Sequence, residues 1–197
     1  GNLNHGMNLE YEIASMKEQC AIANDETAET DIEKTFDELT KKAEQVVTRY
    51  SDKAEPLIWN AIILSSDAGK NGGLSALGKV KKARDLLLEA EKINPQALNG
   101  SIYTSLGSLY YQVPGWPLGF GDDKQAKTYL KKALSINPDG IDPNFFYGDF
   151  LLEEGKTDEA KKYLNKALNA PDRPERALAD KGRRNEIKTR LKTIDNQ

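Results

Sequence analysis

One phrase occurs three times in this chain and limits the folds open to it. Ala83, Leu87, Ala90 and Pro95 return as Ala126, Leu130, Ala133 and Pro138. They return again, one residue shorter at the end, as Ala160, Leu164, Ala167 and Pro171. The first two copies also share a tail, Ile93-Asn94-Pro95 and Ile136-Asn137-Pro138. Steps of four and three residues keep small and large apolar side chains on one helix face. A proline after them stops the helix, because it lacks an N–H and its ring clashes with the preceding turn. A copied helix-and-stop unit fixes the architecture ahead of any single residue. It also points to function carried by a surface rather than by a catalytic cluster.

The remaining periodicity predicts about nine helices and no strand. Glu10 to Ala23 places Ile13, Met16, Cys20 and Ala23 on one face. Asp31 to Tyr50 carries the clearest stripe, made of Ile32, Phe36, Leu39, Ala43, Val46, Val47 and Tyr50. Glu55 to Asp67 starts well, with Pro56 in its first turn. The glycine-rich stretch 68–78 predicts a loop, at least as far as Gly73. Helices are then expected over Lys79–Ile93, Leu98–Gln112, Asp122 or Asp123 to Ile136, Asn144–Glu154, Asp158–Ala170 and Pro174–Ile194. Val113 to Gly121 reads as a non-helical insert. Residues 1–8 show no periodicity and read as a disordered end or tag remnant.

The step from Ala126 to Ala160 is 34 residues, and the step from Ala83 to Ala126 is 43. With this spacing the chain resembles the tetratricopeptide repeat family. That family repeats a helix–turn–helix unit with small residues where the helices touch and a proline at the exit. The last copy carries the resemblance best, through Tyr147, Gly148, Leu151 and Gly155, then Ala160, Leu164 and Ala167. In the middle copy Tyr103, Leu106, Gly107 and Tyr110 serve the first helix. In the first copy Leu57, Ala61 and Leu64 do so. The resemblance implies an all-α, right-handed solenoid of antiparallel helix pairs, closed by a C-terminal capping helix. Residues 9–197 are then one helical domain. It comprises a degenerate pair at 10–50, repeats at 54–97, 98–140 and 141–174, and a cap at 175–194.

Bulk composition narrows the function classes. In 197 residues, 30% are charged and 38% hydrophobic, as suits a soluble helical protein with much exposed surface. The net charge of −3 gives no basic footprint for nucleic acid. No apolar run approaches the length of about 18 residues that a membrane span needs. Cys20 is the one cysteine, so an intramolecular disulfide is excluded. His5 is the one histidine, and no P-loop, GxSxG, HExxH or CxxC pattern occurs. The expectation is therefore a non-enzyme without metal or cofactor. The first residue, Gly1 in place of Met, fits both a cloning junction and an export-trimmed chain, and the exported reading is favoured.

Two surfaces are candidates for binding a protein or peptide partner. In the resembled family the first helix of each unit lines a concave face. By alignment its outward positions here are Glu55, Ile58 and Ile62; Ser101, Thr104, Ser108 and Tyr111; and Asp142, Phe145, Asp149 and Leu152. This set holds no Lys or Arg, which argues against a clamp for carboxylate tails. Its acids suit a basic or polar partner, or else only solvent. The second candidate is the insert, with Tyr110, Tyr111, Trp116, Pro117 and Phe120 within eleven residues. Its aromatic side chains either plug a groove of the solenoid or form a pocket from Tyr110, Trp116 and Phe120. With the 68–78 stretch at the equivalent place, the inserts faintly resemble those of an accessory component of bacterial tripartite solute transporters. That resemblance implies a small-molecule pocket as the alternative function. Asp122-Asp123 reads as a helix cap, with a cation as the alternative. The mixed stretch Arg173 to Arg190 reads as the solvated face of the cap helix.

Overall fold

The repeated Ala-Leu-Ala positions are where the helices close on one another. In a computed structural model describing residues 2–197, with side chains from Asn8 onward, all nine of these residues have zero exposure. Nine α-helices and no strand are present among the described residues, and contacts divide the chain into units meeting at Ala97/Leu98.

The first unit holds α1 (Asn2–Asp25), α2 (Ile32–Arg49), α3 (Ala54–Asn71) and α4 (Ala76–Ile93). The stripe expected in α2 is buried at Phe36, Leu39, Ala43 and Val46. Helix α3 is apolar on nearly all sides, which marks a central helix, and it packs against α1, α2 and α4. Helix α1 starts at Asn2, upstream of the Glu10 read from periodicity. Extending a formed helix adds one hydrogen bond per residue without a new nucleus, so a stretch lacking an apolar face can still follow it. The expected disorder over 1–8 falls partly on Gly1, which lies outside the described residues.

A larger difference lies at 68–78. The structure replaces the expected loop with one more helical turn on each side of a tight connection, so α3 reaches Asn71 and α4 begins at Ala76. Buried Asp67 supplies the reason. It accepts a hydrogen bond from Asn71 Nδ2 at 2.6 Å and pairs with Lys79 Nζ at 3.1 Å, tying the two added turns together. The chain reverses at Gly72 and Gly73, both at positive φ (57° and 80°), where a Cβ would be strained.

The second unit holds α5 (Ser101–Gln112), α6 (Asp123–Ile136), α7 (Ile141–Glu153), α8 (Thr157–Leu168) and α9 (Ala177–Asp195). Helix α5 pairs with α6 and α7 with α8, and α7 also touches α5, α6 and α9. The small positions are needed for contact. A Cβ on Gly107 would lie 2.6 Å from Leu130, and one on Gly148 would lie 2.9 Å from Leu164. The leucine of the phrase in α6 and in α8 thus sits against the glycine of its partner helix, the close approach that small residues permit. Helix α5 starts at Ser101 rather than Leu98, because Leu98, Asn99 and Gly100 all take left-handed φ. Helix α7 starts earlier than expected, at Ile141, with Pro143 accepted in its first turn.

Candidate functional site

The first-helix face of the second unit is not the open acidic surface that the sequence suggests. Asp149 is buried. It accepts the Tyr111 hydroxyl at 2.8 Å on Oδ2 and Arg190 Nε at 2.9 Å on Oδ1. Asp142 accepts Arg183 Nε at 2.9 Å and Arg173 Nη1 at 3.3 Å. Arg173 continues to Asp180, another buried carboxylate, at 2.6 Å. Phe145 is covered too, with the Arg183 guanidinium 4.7 Å from its ring centre and 4.6 Å from that of Phe146. Charge-assisted pairs of this kind are among the stronger hydrogen bonds.

These pairs set the protonation of the face. Burial would push the Asp142 carboxyl up, but Arg183 and then Arg173 outweigh it and hold it below its ordinary value. Burial, and then the neighbouring Asp149 charge, push the Tyr111 phenol well above its usual range, so it stays a donor. Of the carboxylates suited to a basic partner, Asp142 and Asp149 already have one, supplied by α9 and the segment before it.

The other aligned positions divide between core and backbone bonding. Ile58 has zero exposure, and Thr104 is buried with its hydroxyl donating to Gly100 O at 3.4 Å. Ser101 and Ser108 donate to Leu98 O and Ser105 O. Glu55, Ile62 and Leu152 are half-buried. Sequence reasoning misses the arginines of α9 because it takes the basic stretch as one solvated face. A signal is present: Asp142 and Asp149 are seven residues apart, and so are Arg183 and Arg190, with fully buried Ile187 between them. Equal spacing on two helices places two ion pairs in register.

The insert between α5 and α6 splits its aromatic residues. Tyr110 and Phe120 meet edge to face at 5.3 Å, and Tyr110 stacks on Tyr129 of α6 at 5.6 Å. They plug the helix pair rather than line a cavity. Trp116 does not join them; it is 90% exposed, with Leu118 72% exposed beside it. Tyr110 and Phe120 therefore pack together without Trp116, whose indole the loop turns outward.

The loop that does this has a bonded backbone. Gly121 N donates to Pro114 O at 2.9 Å and Asp122 N to Tyr110 O at 2.8 Å. Leu118 N and Gly119 N both donate to Gly115 O, at 3.1 and 3.2 Å. Gly121 fits because a Cβ there would run into the Val113 carbonyl oxygen. At the foot of the loop, Asp122 accepts N–H bonds from Lys124 and Gln125, the helix-cap role.

Beside that foot stand Asp123, Glu153 and Glu154, all exposed. Burial, and then the charges of Asp149, Asp123 and Glu154, push the Glu153 carboxyl up, with Arg190 offsetting part of the effect. The first unit has a surface depression of about 440 Å³ lined by Asn8, Tyr11, Glu12, Arg49 and Tyr50, with Arg49 and Glu12 paired. Neither insert contributes to it.

Residues 118–180 match the family model described as tetratricopeptide repeat. No curated protein matches. Among solved structures, the chain is similar to a thermophilic tetratricopeptide repeat protein of Thermus thermophilus. The TM-score is 0.60 at 19% identity, over 81% of this chain and 78% of that one. No helix among the described residues is long and apolar enough to cross a membrane. The match over 118–180 takes in the middle and last copies of the phrase, so that segment is similar to the tetratricopeptide repeat family, and the all-α fold is similar to that of the Thermus repeat protein.

Proposed function

We propose that the chain is a non-catalytic scaffold that binds another protein, with the 113–122 loop of the second unit as its main contact. The observation that carries this reading is the pair of apolar side chains, Trp116 and Leu118, held out to solvent by a bonded loop. A loop that folds only for its own stability turns its apolar groups inward, as this one does with Phe120 but not with Trp116 or Leu118. Tryptophan is enriched among the few residues that dominate binding energy. A backbone already fixed by hydrogen bonds and two prolines loses little entropy on docking.

The test is retention of partners from native cell extract. Immobilised native chain is expected to retain a discrete protein that the Trp116→Ala/Leu118→Ala chain does not. Identical retention by both chains would remove the loop from the reading, and retention of nothing by either would remove the scaffold. No observation favours the solute-transport alternative: the indole faces outward, and most of the first insert is helical.

A further inference from the structure

We propose that the edge of the second unit formed by the 113–122 loop and the α7–α8 turn docks a basic protein segment. Trp116 and Leu118 enter an apolar recess in that segment, while its Lys or Arg side chains face Asp123, Glu153 and Glu154. The proposal rests on the scaffold reading and narrows it to one site and one partner chemistry.

Charge complementarity decides the occupant. Around the foot of the loop and the α7–α8 turn, Asp123, Glu153, Glu154, Asp158 and Glu159 are exposed carboxylates, against the exposed cations Lys124 and Lys156, with Lys127, Lys161 and Lys162 exposed one turn further along α6 and α8. Three of these acids have a local explanation, because Asp123, Asp158 and Glu159 sit in the first turns of α6 and α8, where the helix dipole favours negative charge. Glu153 and Glu154 have none. They stand at the C-terminal end of α7, where the dipole opposes them.

Neither Glu153, Glu154 nor Asp123 takes part in an ion pair among the described residues. Arg190, the cation that Glu153 senses, is already committed to Asp149 at 2.9 Å. Like charges are thus crowded at the foot of the loop that carries the apolar tip, and a cationic partner with an apolar recess relieves the crowding while burying the tip. An anionic lipid surface would aggravate it, so a protein partner is favoured over a membrane. The first-helix face cannot take the same role, because Asp142 and Asp149 are already neutralised from within the chain.

The experiment uses the full chain and needs no known partner. A random-peptide display library is selected on the native chain, and enriched peptides are measured against variants by fluorescence anisotropy. The expected peptides carry net positive charge with at least one large apolar residue. Their affinity is expected to fall about tenfold or more on Trp116→Ala. It should fall about threefold on Glu153→Gln/Glu154→Gln, with a steeper loss in high salt.

Circular dichroism of both variants should match the native chain, since all three side chains are exposed. Enrichment of neutral or acidic peptides would overturn the proposal. So would binding unchanged by Trp116→Ala, although peptides bound elsewhere would leave the scaffold reading standing. Failure to enrich any peptide, with no partner retained from extract, would remove both. Trp116-dependent sedimentation with phosphatidylserine vesicles would overturn it in favour of lipid.

Discussion

The chain lengthens two helix hairpins, and it does so in opposite ways. Between α3 and α4 the added residues continue the helices, and the reversal needs only residues 72–75. Between α5 and α6 they leave the helices at Val113 and return at Asp122 as a bonded loop. The difference is one of local chemistry. The first stretch has no proline, and its buried Asp67 rewards the added turns with a pair to Lys79. The second has Pro114 and Pro117, which cannot continue a helix, and Gly121, where a side chain would collide with backbone. A lengthened hairpin that stays helical adds framework. One that breaks out gains a free tip, and only there does the molecule expose a tryptophan.

The sharpest way to break this comparison is Gly121→Val. The second hairpin is expected to lose about 3 kcal/mol, read as a lowered midpoint in urea, because the closest obstacle is the Val113 carbonyl and not a movable side chain. A neutral result would mean the loop has no fixed form.

Next is Asp67→Ala in the first hairpin. It removes the acid that joins the added turns and is expected to destabilise by about 2 kcal/mol. That is below the usual loss for a broken buried pair, since Lys79 is partly exposed and regains water. Faster amide exchange over 68–79 should accompany it, and unchanged exchange would show that helix propensity alone builds the extension.

Gly73→Ala is expected to lower stability by about 1 kcal/mol. The space around the residue is open, so the loss comes from its left-handed backbone and not from packing. The two glycine substitutions thus separate crowding from conformation. The smallest expected effect is Trp116→Ala, within about 0.5 kcal/mol of the native chain in the same denaturant titration. A larger loss would show that the indole supports the fold, and the contrast between framework and free tip would fail.

What the sequence disclosed follows the same division. The Ala-Leu-Ala positions and the small residues at Gly107 and Gly148 were legible, because close helix contact dictates residue size at a fixed period. The 68–78 stretch misled, since four glycines signal a loop unless something distant in the fold favours the helix. Gly69 and Gly78 are helical with nothing within 4 Å, so neither position requires a loop. The composition of the insert announced aromatic residues but not their directions. One glycine against one carbonyl sends Phe120 in and leaves Trp116 out. The charge balance on the face of α7 is not legible within the repeats, because it comes from α9, outside the repeated phrase.

That balance has a consequence for how such an array grows. Helix repeats are ordinarily interchangeable, each offering its neighbour an apolar face that any similar unit can cover. The face that α7 offers is different, because it carries Asp142 and Asp149 and is matched by Arg183 and Arg190 at the same interval. A unit swapped in for α9 with only the apolar pattern would strand two acids. Lateral fit here is keyed by charge as well as shape, so a graft succeeds only if the arginines travel with the helix.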